Sequence, residues 1–144
     1  MAIVGVLTNA LVLVNGVDLS DHVEKVTVSD DRSKVPITAM GATANGYTKG
    51  LGDATIKLTF YQDLSAGKVH ATLQPLIGST TPVAVEVRAV NGARSATNPA
   101  FLLASALMFN YTGLDGGATD NNPSMTEVEF SNASSAGGMT YPTA

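Results

Sequence analysis

Apolar and polar residues alternate along several segments of the chain, which is the pattern of half-buried β-strands. The alternation is clearest in IKLTFY, residues 56–61, and in VAVEVR, residues 83–88. The same period of two predicts strands within 101–111 and 126–130. One side of each predicted strand therefore packs on a core. The strand positions expected in that core are Leu58, Phe60, Val85, Val87 and Leu107.

Two local signals complete the predicted elements. An aliphatic run over 10–15 ends at Asn15-Gly16, a dipeptide typical of tight turns, and a further strand is expected over 17–29. Within 63–78, apolar residues recur at helical spacing, which predicts a short amphipathic helix whose Leu73 joins the core. Six or more strands and one flanking α-helix predict a mainly β protein, a β-sandwich formed as a single domain.

The single domain spans residues 1–144, and two of its segments show no pattern of buried positions. Residues 31–53 contain four Gly and one Pro, and so long an unpatterned stretch in one domain is typically functional or ordered by a partner. We therefore expect a long assembly loop here, with a C-terminal tail at 131–144. The candidate contacts of the assembly loop are Arg32, Lys34, Val35, Ile37, Met40, Tyr47, Lys49 and Leu51.

Composition narrows the range of functions. Eight Lys and Arg against twelve Asp and Glu give a net charge of −4, the wrong sign for a domain that grips nucleic-acid phosphates. Charged residues make up 14% of the chain, whereas about 25% is typical, so we expect partners to cover part of the surface. The chain has no Cys, and its apolar runs are shorter than the roughly 20 residues that span a bilayer. A soluble protein without disulfides, made in a cytosol, is expected.

The sequence offers little catalytic chemistry. His22 and His70 have no further ligand at a metal-binding spacing, so a packing or surface role is expected for each. Residues 41–46 match the start of a phosphate-binding loop, but Tyr47 stands where the essential lysine belongs. No nucleophile motif of the Gly-x-Ser-x-Gly type is present. We therefore expect no catalytic residues, no metal and no cofactor.

Two segments carry a family resemblance. They are LVLVNGVDLSDHVEKVTV, residues 11–28, and IKLTFYQDLSAGKVHATLQPLIGSTTPVAVEVR, residues 56–88. Their order, with a Gly-rich stretch between them, resembles that of the major tail tube proteins of long-tailed bacteriophages, over roughly residues 10–112. The resemblance rests on hydrophobic pattern and a few polar residues, and related tail, neck or decoration proteins share such a pattern.

That resemblance implies a β-sandwich whose copies form hexameric rings, stacked into a hollow conduit for DNA, without catalysis. It implies that residues 31–53 join rings, and that an N-terminal arm, residues 1–9, does the same through Ile3, Val4, Val6 and Leu7. The implied partners are other copies of the chain, a tape-measure protein, other tail proteins, and DNA only as cargo. The implied location is the virion tail, after assembly in the host cytoplasm. The alternative is a decoration, neck or adhesion module that forms no tube.

The excess negative charge lies in the C-terminal part of the chain, after Arg94. Glu127 and Glu129 are two residues apart on a predicted strand, so they share the face opposite Val128 and Phe130. This face is either a solvated outer surface or, if the resemblance holds, part of the lumen wall. Carboxylates there would repel the phosphates of passing DNA.

Overall fold

The computed structural model describes residues 4–119 and 121–144, and the expected mainly β architecture with one short helix is confirmed. The elements are β1 (Leu11–Val14), β2 (Val17–Asp18), β3 (Val23–Pro36), β4 (Tyr47–Tyr61), α1 (Val69–Ile77), β5 (Val83–Arg88), β6 (Ala100–Asp115), β7 (Met125–Asn132) and β8 (Met139–Thr140).

All eight strands belong to one antiparallel sheet in the order β2-β1-β5-β6-β7-β4-β3, with β8 paired to β6. The six or more expected strands are thus present, and hydrogen bonds join them in a single sheet. The 16-residue β6 joins the two halves, because its first part pairs with β5 and its second part with β7.

This sheet is curled. Its edge strands β2 and β3 are connected by residues 19–22, which reach at most about 18 Å. In a flat sheet, seven strands about 4.8 Å apart would place those edges roughly 29 Å from each other. The curl brings the apolar faces of both halves around one core, which includes Val12 and Val14 of β1 and Ile56 and Leu58 of β4.

The helix α1 closes this core on the side of β6. Val69 and Leu73 are fully buried, and Leu76 packs against the same cluster. The helix is shorter than the expected 63–78, because Asp63 Oδ1 instead accepts the backbone N–H of Ser65 in the connection that precedes it. Five residues expected in the core are buried: Leu58, Phe60, Leu73, Val85 and Val87.

Leu107 differs from the expectation, since it is only half-buried while Ala106 and Met108 are buried. The register explains the difference. Val83 pairs with Ala106 and Val85 with Leu103, so two steps on β5 match three on β6. Such a bulge inserts one residue and reverses the inward and outward faces beyond it.

The expectation of a loop over 31–53 is also wrong. The segment is the far part of a hairpin, in which β3 runs to Pro36 and β4 begins at Tyr47, and only residues 37–46 connect them. Its side chains lack the alternation of a half-buried strand because both faces of this part of the hairpin are exposed.

The C-terminal segment is likewise ordered rather than a bare tail. Met139 of β8 is buried and pairs with Leu103, and the carbonyl oxygen of Pro142 accepts the backbone N–H of Ala100. At the other end of the chain, the predicted turn is present, with positive φ at Asn15 (51°) and Gly16 (79°). The strand expected over 17–29 is interrupted at 19–22.

Candidate assembly surfaces

The hairpin of β3 and β4 extends beyond the rest of the sheet. Pairing between β4 and β7 ends at Thr55 and Ser131, so residues 31–36 and 47–53 form a two-stranded ribbon without a third strand on that side. Nearly all of its residues are exposed on both faces. Because isolated two-stranded ribbons are only marginally stable in water, this geometry favours a ribbon that is covered by a partner.

The ribbon and its connection carry large apolar side chains in water. Residues 37–46 are held in place where the backbone N–H of Ile37 donates to the Gly46 carbonyl at 3.0 Å, and the Gly46 N–H donates to Thr38 Oγ1 at 2.9 Å. A cluster of exposed apolar groups on one projecting element is typical of a contact surface. Its members are Val35, Ile37, Met40, Tyr47 and Leu51, of which Met40 and Leu51 are the most exposed.

The charged residues expected in the assembly loop lie on the same ribbon. Arg32 Nη1 donates to Asp30 Oδ1 at 2.5 Å, which forms an ion pair at the base of the ribbon. The Lys34 ammonium lies 5.0 Å from the ring centroid of Tyr47, within cation–π range. Lys49 is directly opposite Lys34.

The outer edge of β3 is a second candidate surface. β3 is the last strand of the sheet, and no other strand of the described chain, residues 4–119 and 121–144, pairs with that edge over its 14 residues. A long open edge presents unpaired N–H and C=O groups and is a template for another strand.

The N-terminal arm is described from residue 4, so Ile3 lies outside the described residues. Val4, Val6 and Leu7 are exposed, at 63%, 89% and 49%, and precede β1 without regular structure. The arm is fixed at its base, where the carbonyl oxygen of Asn9 accepts the backbone N–H of Asn91 at 2.7 Å.

Glu127 and Glu129 lie together on the outer face of β7, away from the buried Val128 and Phe130. The adjacent strand β4 places Lys57 directly opposite Glu129, and Thr59 opposite Glu127. The face is therefore mixed in charge. The sequence alone does not reveal Lys57 as a neighbour of Glu129, because sheet register supplies it from 72 positions earlier in the chain.

A side-chain contact between segments that are distant in the sequence bridges the curled sheet near the base of the ribbon. The hydroxyl of Tyr141 donates to Asp30 Oδ2, and the Tyr141 ring packs edge-on against Phe101 with centroids 5.6 Å apart. The hydrogen bond from Tyr141, followed by that from Arg32, holds the pKa of Asp30 below its usual value. The same hydrogen bond raises the pKa of Tyr141.

A nearly buried carboxylate, Glu86 on β5, organises the loop after that strand. Its Oε1 accepts Nε–H groups of Arg88 at 2.9 Å and Arg94 at 2.8 Å. Burial by itself would raise the pKa of Glu86, but the hydrogen bonds from Arg94 and Arg88 outweigh burial and lower it. The network fixes the 88–94 segment, since Arg88 Nη1 also donates to the Gly92 carbonyl oxygen at 2.7 Å.

Both histidines make local contacts. His22 Nε2 lies 2.8 Å from Asp63 Oδ2, and His70 Nδ1 lies 2.7 Å from the Tyr111 hydroxyl, which links α1 to β6. Hydrogen bonds from Ser65 first, and then from His22, hold the pKa of Asp63 below its usual value. Within residues 4–119 and 121–144, no three His, Cys, Asp or Glu side chains cluster in a way that could hold a metal ion.

No helix in the described part of the chain is long and apolar enough to cross a membrane.

Four surfaces are therefore candidates for assembly on the grounds of exposure and open pairing: the projecting ribbon, the open edge of β3, the N-terminal arm, and the mixed-charge outer face of β7.

The chain was compared with protein families, curated sequences and solved structures, and only solved structures are similar to it. No protein-family model and no curated protein sequence matches the chain. A chain in the sheath/tube terminator of an extracellular contractile injection system, PVC, in the extended state, is similar over 96% of both chains, with a TM-score of 0.71 and 14% identity.

Two further solved structures are similar. A chain in the tail of an empty GTA (gene transfer agent) particle, solved with C6 symmetry, matches 84% of this chain and 82% of its own length, with a TM-score of 0.61 and 10% identity. Hcp1 from Flavobacterium johnsoniae matches 93% of this chain and 99% of its own, with a TM-score of 0.55 and 16% identity. At these identities the similarity establishes a shared fold, and the expected resemblance to tail tube proteins is confirmed at that level.

Proposed function

We propose that this chain is a structural subunit that self-associates into rings, hexameric by analogy, that stack into a tail tube through which DNA is delivered. The observation that carries the proposal is the projecting ribbon with its exposed apolar groups, a costly surface for a protein that acts alone. The shared fold with chains in tail and injection-system structures, one of them solved with C6 symmetry, supports it.

In this proposal the open edge of β3 joins neighbours within a ring, while the ribbon and the N-terminal arm reach the adjacent ring. Extension of a sheet from copy to copy satisfies the unpaired backbone groups of an edge strand. The proposed partners are copies of this chain, a tape-measure protein and other tail proteins, and the proposed location is the virion tail. A catalytic role is not part of the proposal.

The outer face that carries Glu127 and Glu129 is the proposed lumen wall. Lys57 and Lys25 lie on the same face, so the proposed wall combines carboxylates that repel phosphate with isolated ammonium groups. Replacing both glutamates with Lys should preserve assembly but slow DNA ejection, with the defect relieved by added salt. An assembled structure that places both glutamates on the outside of the tube would contradict this assignment.

The test of the function is assembly itself, measured by size-exclusion chromatography and negative-stain microscopy of the purified protein at increasing concentration. Rings or tubes are expected. A particle that remains a monomer or trimer at all concentrations, with other tail proteins present, would contradict tube formation and favour a decoration or adhesion module.

A shortened variant tests the ribbon directly. Replacing residues 33–51 with Asn-Gly joins Arg32 to Gly52, which already face each other in the hairpin, by a two-residue turn. The variant should keep the circular dichroism spectrum and cooperative unfolding of the wild type but fail to stack. Unchanged tube formation would remove the ribbon from the proposed contacts.

A further inference from the structure

The ribbon contains two pairs of like charges directly opposite each other. Asp31 on β3 pairs with Asp53 on β4, and Lys34 pairs with Lys49. Like charges at opposed positions of an antiparallel pair destabilise the pairing. Among residues 4–119 and 121–144, none of these four side chains forms a salt bridge. The hairpin therefore carries two uncompensated electrostatic conflicts on an exposed element.

The two pairs lie on opposite faces of the ribbon. Along β3, Asp31 and Lys34 are three residues apart, so their side chains point to opposite sides. Along β4, Lys49 and Asp53 would share a face in a regular strand. A register shift between Arg32 and Lys34 places one extra residue on β4 and moves Lys49 to the other side.

Two neighbouring contacts agree with this assignment of faces. A side chain built on Gly50 would meet Ser33 and Val35, whereas one on Gly52 would meet Arg32. Arg32 and Ser33 therefore mark the two faces. The Lys34 ammonium lies over the ring of Tyr47, in agreement with the register of Tyr47 opposite Pro36. We call the side with Lys34 and Lys49 the basic face, and the side with Asp31 and Asp53 the acidic face.

The other charges nearby leave this polarity in place. On the basic face, Arg32 is paired with Asp30 and adds no net charge. On the acidic face, the nearest cation along β4 is Lys57, which is four residues after Asp53 and directly opposite Glu129. The basic face thus has two unpaired positive charges, and the acidic face has two unpaired negative charges.

We propose that the ribbon of one copy stacks against the ribbon of the next, with the basic face of one on the acidic face of the other. This inference rests on the self-association proposed above and assigns the contact and its direction. The occupant is a second copy because the two faces are complementary to each other. Each copy uses one face for each neighbour, so the contact is heterologous and repeats from one ring to the next along the tube. Stacking also offsets the repulsion within each pair.

Charge reversal with mixing tests this contact. Variant A, Asp31→Lys with Asp53→Lys, has two basic faces, and variant B, Lys34→Glu with Lys49→Glu, has two acidic faces. Alone, each should need a concentration more than about tenfold above that of the wild type for half-maximal assembly, measured by light scattering at low salt. An equimolar mixture should assemble with A and B alternating. The quadruple variant, whose two faces are exchanged, should assemble by itself.

Controls separate a specific contact from a change in net charge or in folding. Asp21→Lys with Asp115→Lys makes the same charge change as variant A at two exposed sites outside the ribbon, the β3 edge and the arm, and should assemble as the wild type does. Circular dichroism checks that each variant folds. If A or B assembles like the wild type, or if folded A and B fail to assemble when mixed, the proposed contact is wrong. A wild type that never assembles would instead overturn the proposed function itself.

Discussion

The hydroxyl of Tyr141 hydrogen-bonds Asp30 Oδ2 at 2.5 Å, although the two residues are 111 positions apart. Asp30 lies on the edge strand β3, opposite the buried Ala54, while Tyr141 follows β8 and packs on Phe101 of β6. β3 and β6 are separated by two strands in the sheet order. The contact therefore fixes the C-terminal segment across the curl of the sheet, at the base of the projecting ribbon.

Removing this hydrogen bond should loosen the C-terminal segment. We expect Tyr141→Phe to lower the free energy of unfolding by about 0.5–1.5 kcal/mol, the usual contribution of one hydrogen bond. Limited proteolysis after residue 132 should become faster. Tyr61→Phe is the matched control, since it removes the same hydroxyl from a side chain that is 40% exposed. Equal proteolysis of the wild type and Tyr141→Phe would contradict this role.

The same contact predicts a dependence on pH. Because the folded-state pKa of Asp30 is lowered from the ordinary 3.8, its stabilising contribution is present above that value and is lost as the pH falls through the folded pKa. The raised pKa of Tyr141 acts in the opposite sense: its contribution is present below 10.0 and is lost as the pH rises through its folded pKa. The wild type should therefore exceed Tyr141→Phe in stability at neutral pH, and the difference should narrow at both extremes. Urea unfolding of both proteins across this range measures it.

The bulge in β6 predicts unequal effects of two adjacent substitutions. Met108 is buried at 5% exposure and Leu107 is only half-buried, so Met108→Ala should cost about 2–5 kcal/mol of unfolding free energy and Leu107→Ala clearly less. Chemical denaturation of the two variants provides the measurement. The reverse order would mean that β6 keeps a regular alternation and that the bulge is absent.

The packing of α1 on the sheet predicts that two substitutions in this helix have unequal effects on stability. Leu73 is fully buried against the sheet, whereas Ile77 on the same helix is 42% exposed. Leu73→Ala should lower the free energy of unfolding by about 2–5 kcal/mol, and Ile77→Ala by much less. Thermal and urea unfolding of both variants distinguish them. A loss below about 0.5 kcal/mol for Leu73→Ala would show that α1 is not docked on β6.

Several elements could be predicted from the sequence because their signals are local. The alternation at 56–61 and 83–88 reflects the two-residue period of a strand with one buried face, and both segments are strands. Asn15-Gly16 forms its turn because both positions tolerate positive φ. The buried Leu73 follows from helical spacing of apolar residues.

Other features left no local signal. The ribbon was expected to be a loop, because a strand exposed on both faces need not alternate. The C-terminal segment is ordered by one buried side chain, Met139, and by contacts to residues far away in the sequence. The buried position of Met108 instead of Leu107 depends on a bulge that only the register with β5 reveals.

The sequence by itself determined the strand content, the hairpin turn, the helix and most of the core, since these depend on side-chain pattern within a few residues. Only the tertiary structure decided that the strands form one curled sheet, that Lys57 lies opposite Glu129, and that the ribbon has a basic and an acidic face. The physical reason is register: pairing between distant strands decides which charges meet, and one extra residue in a strand moves a side chain to the other face.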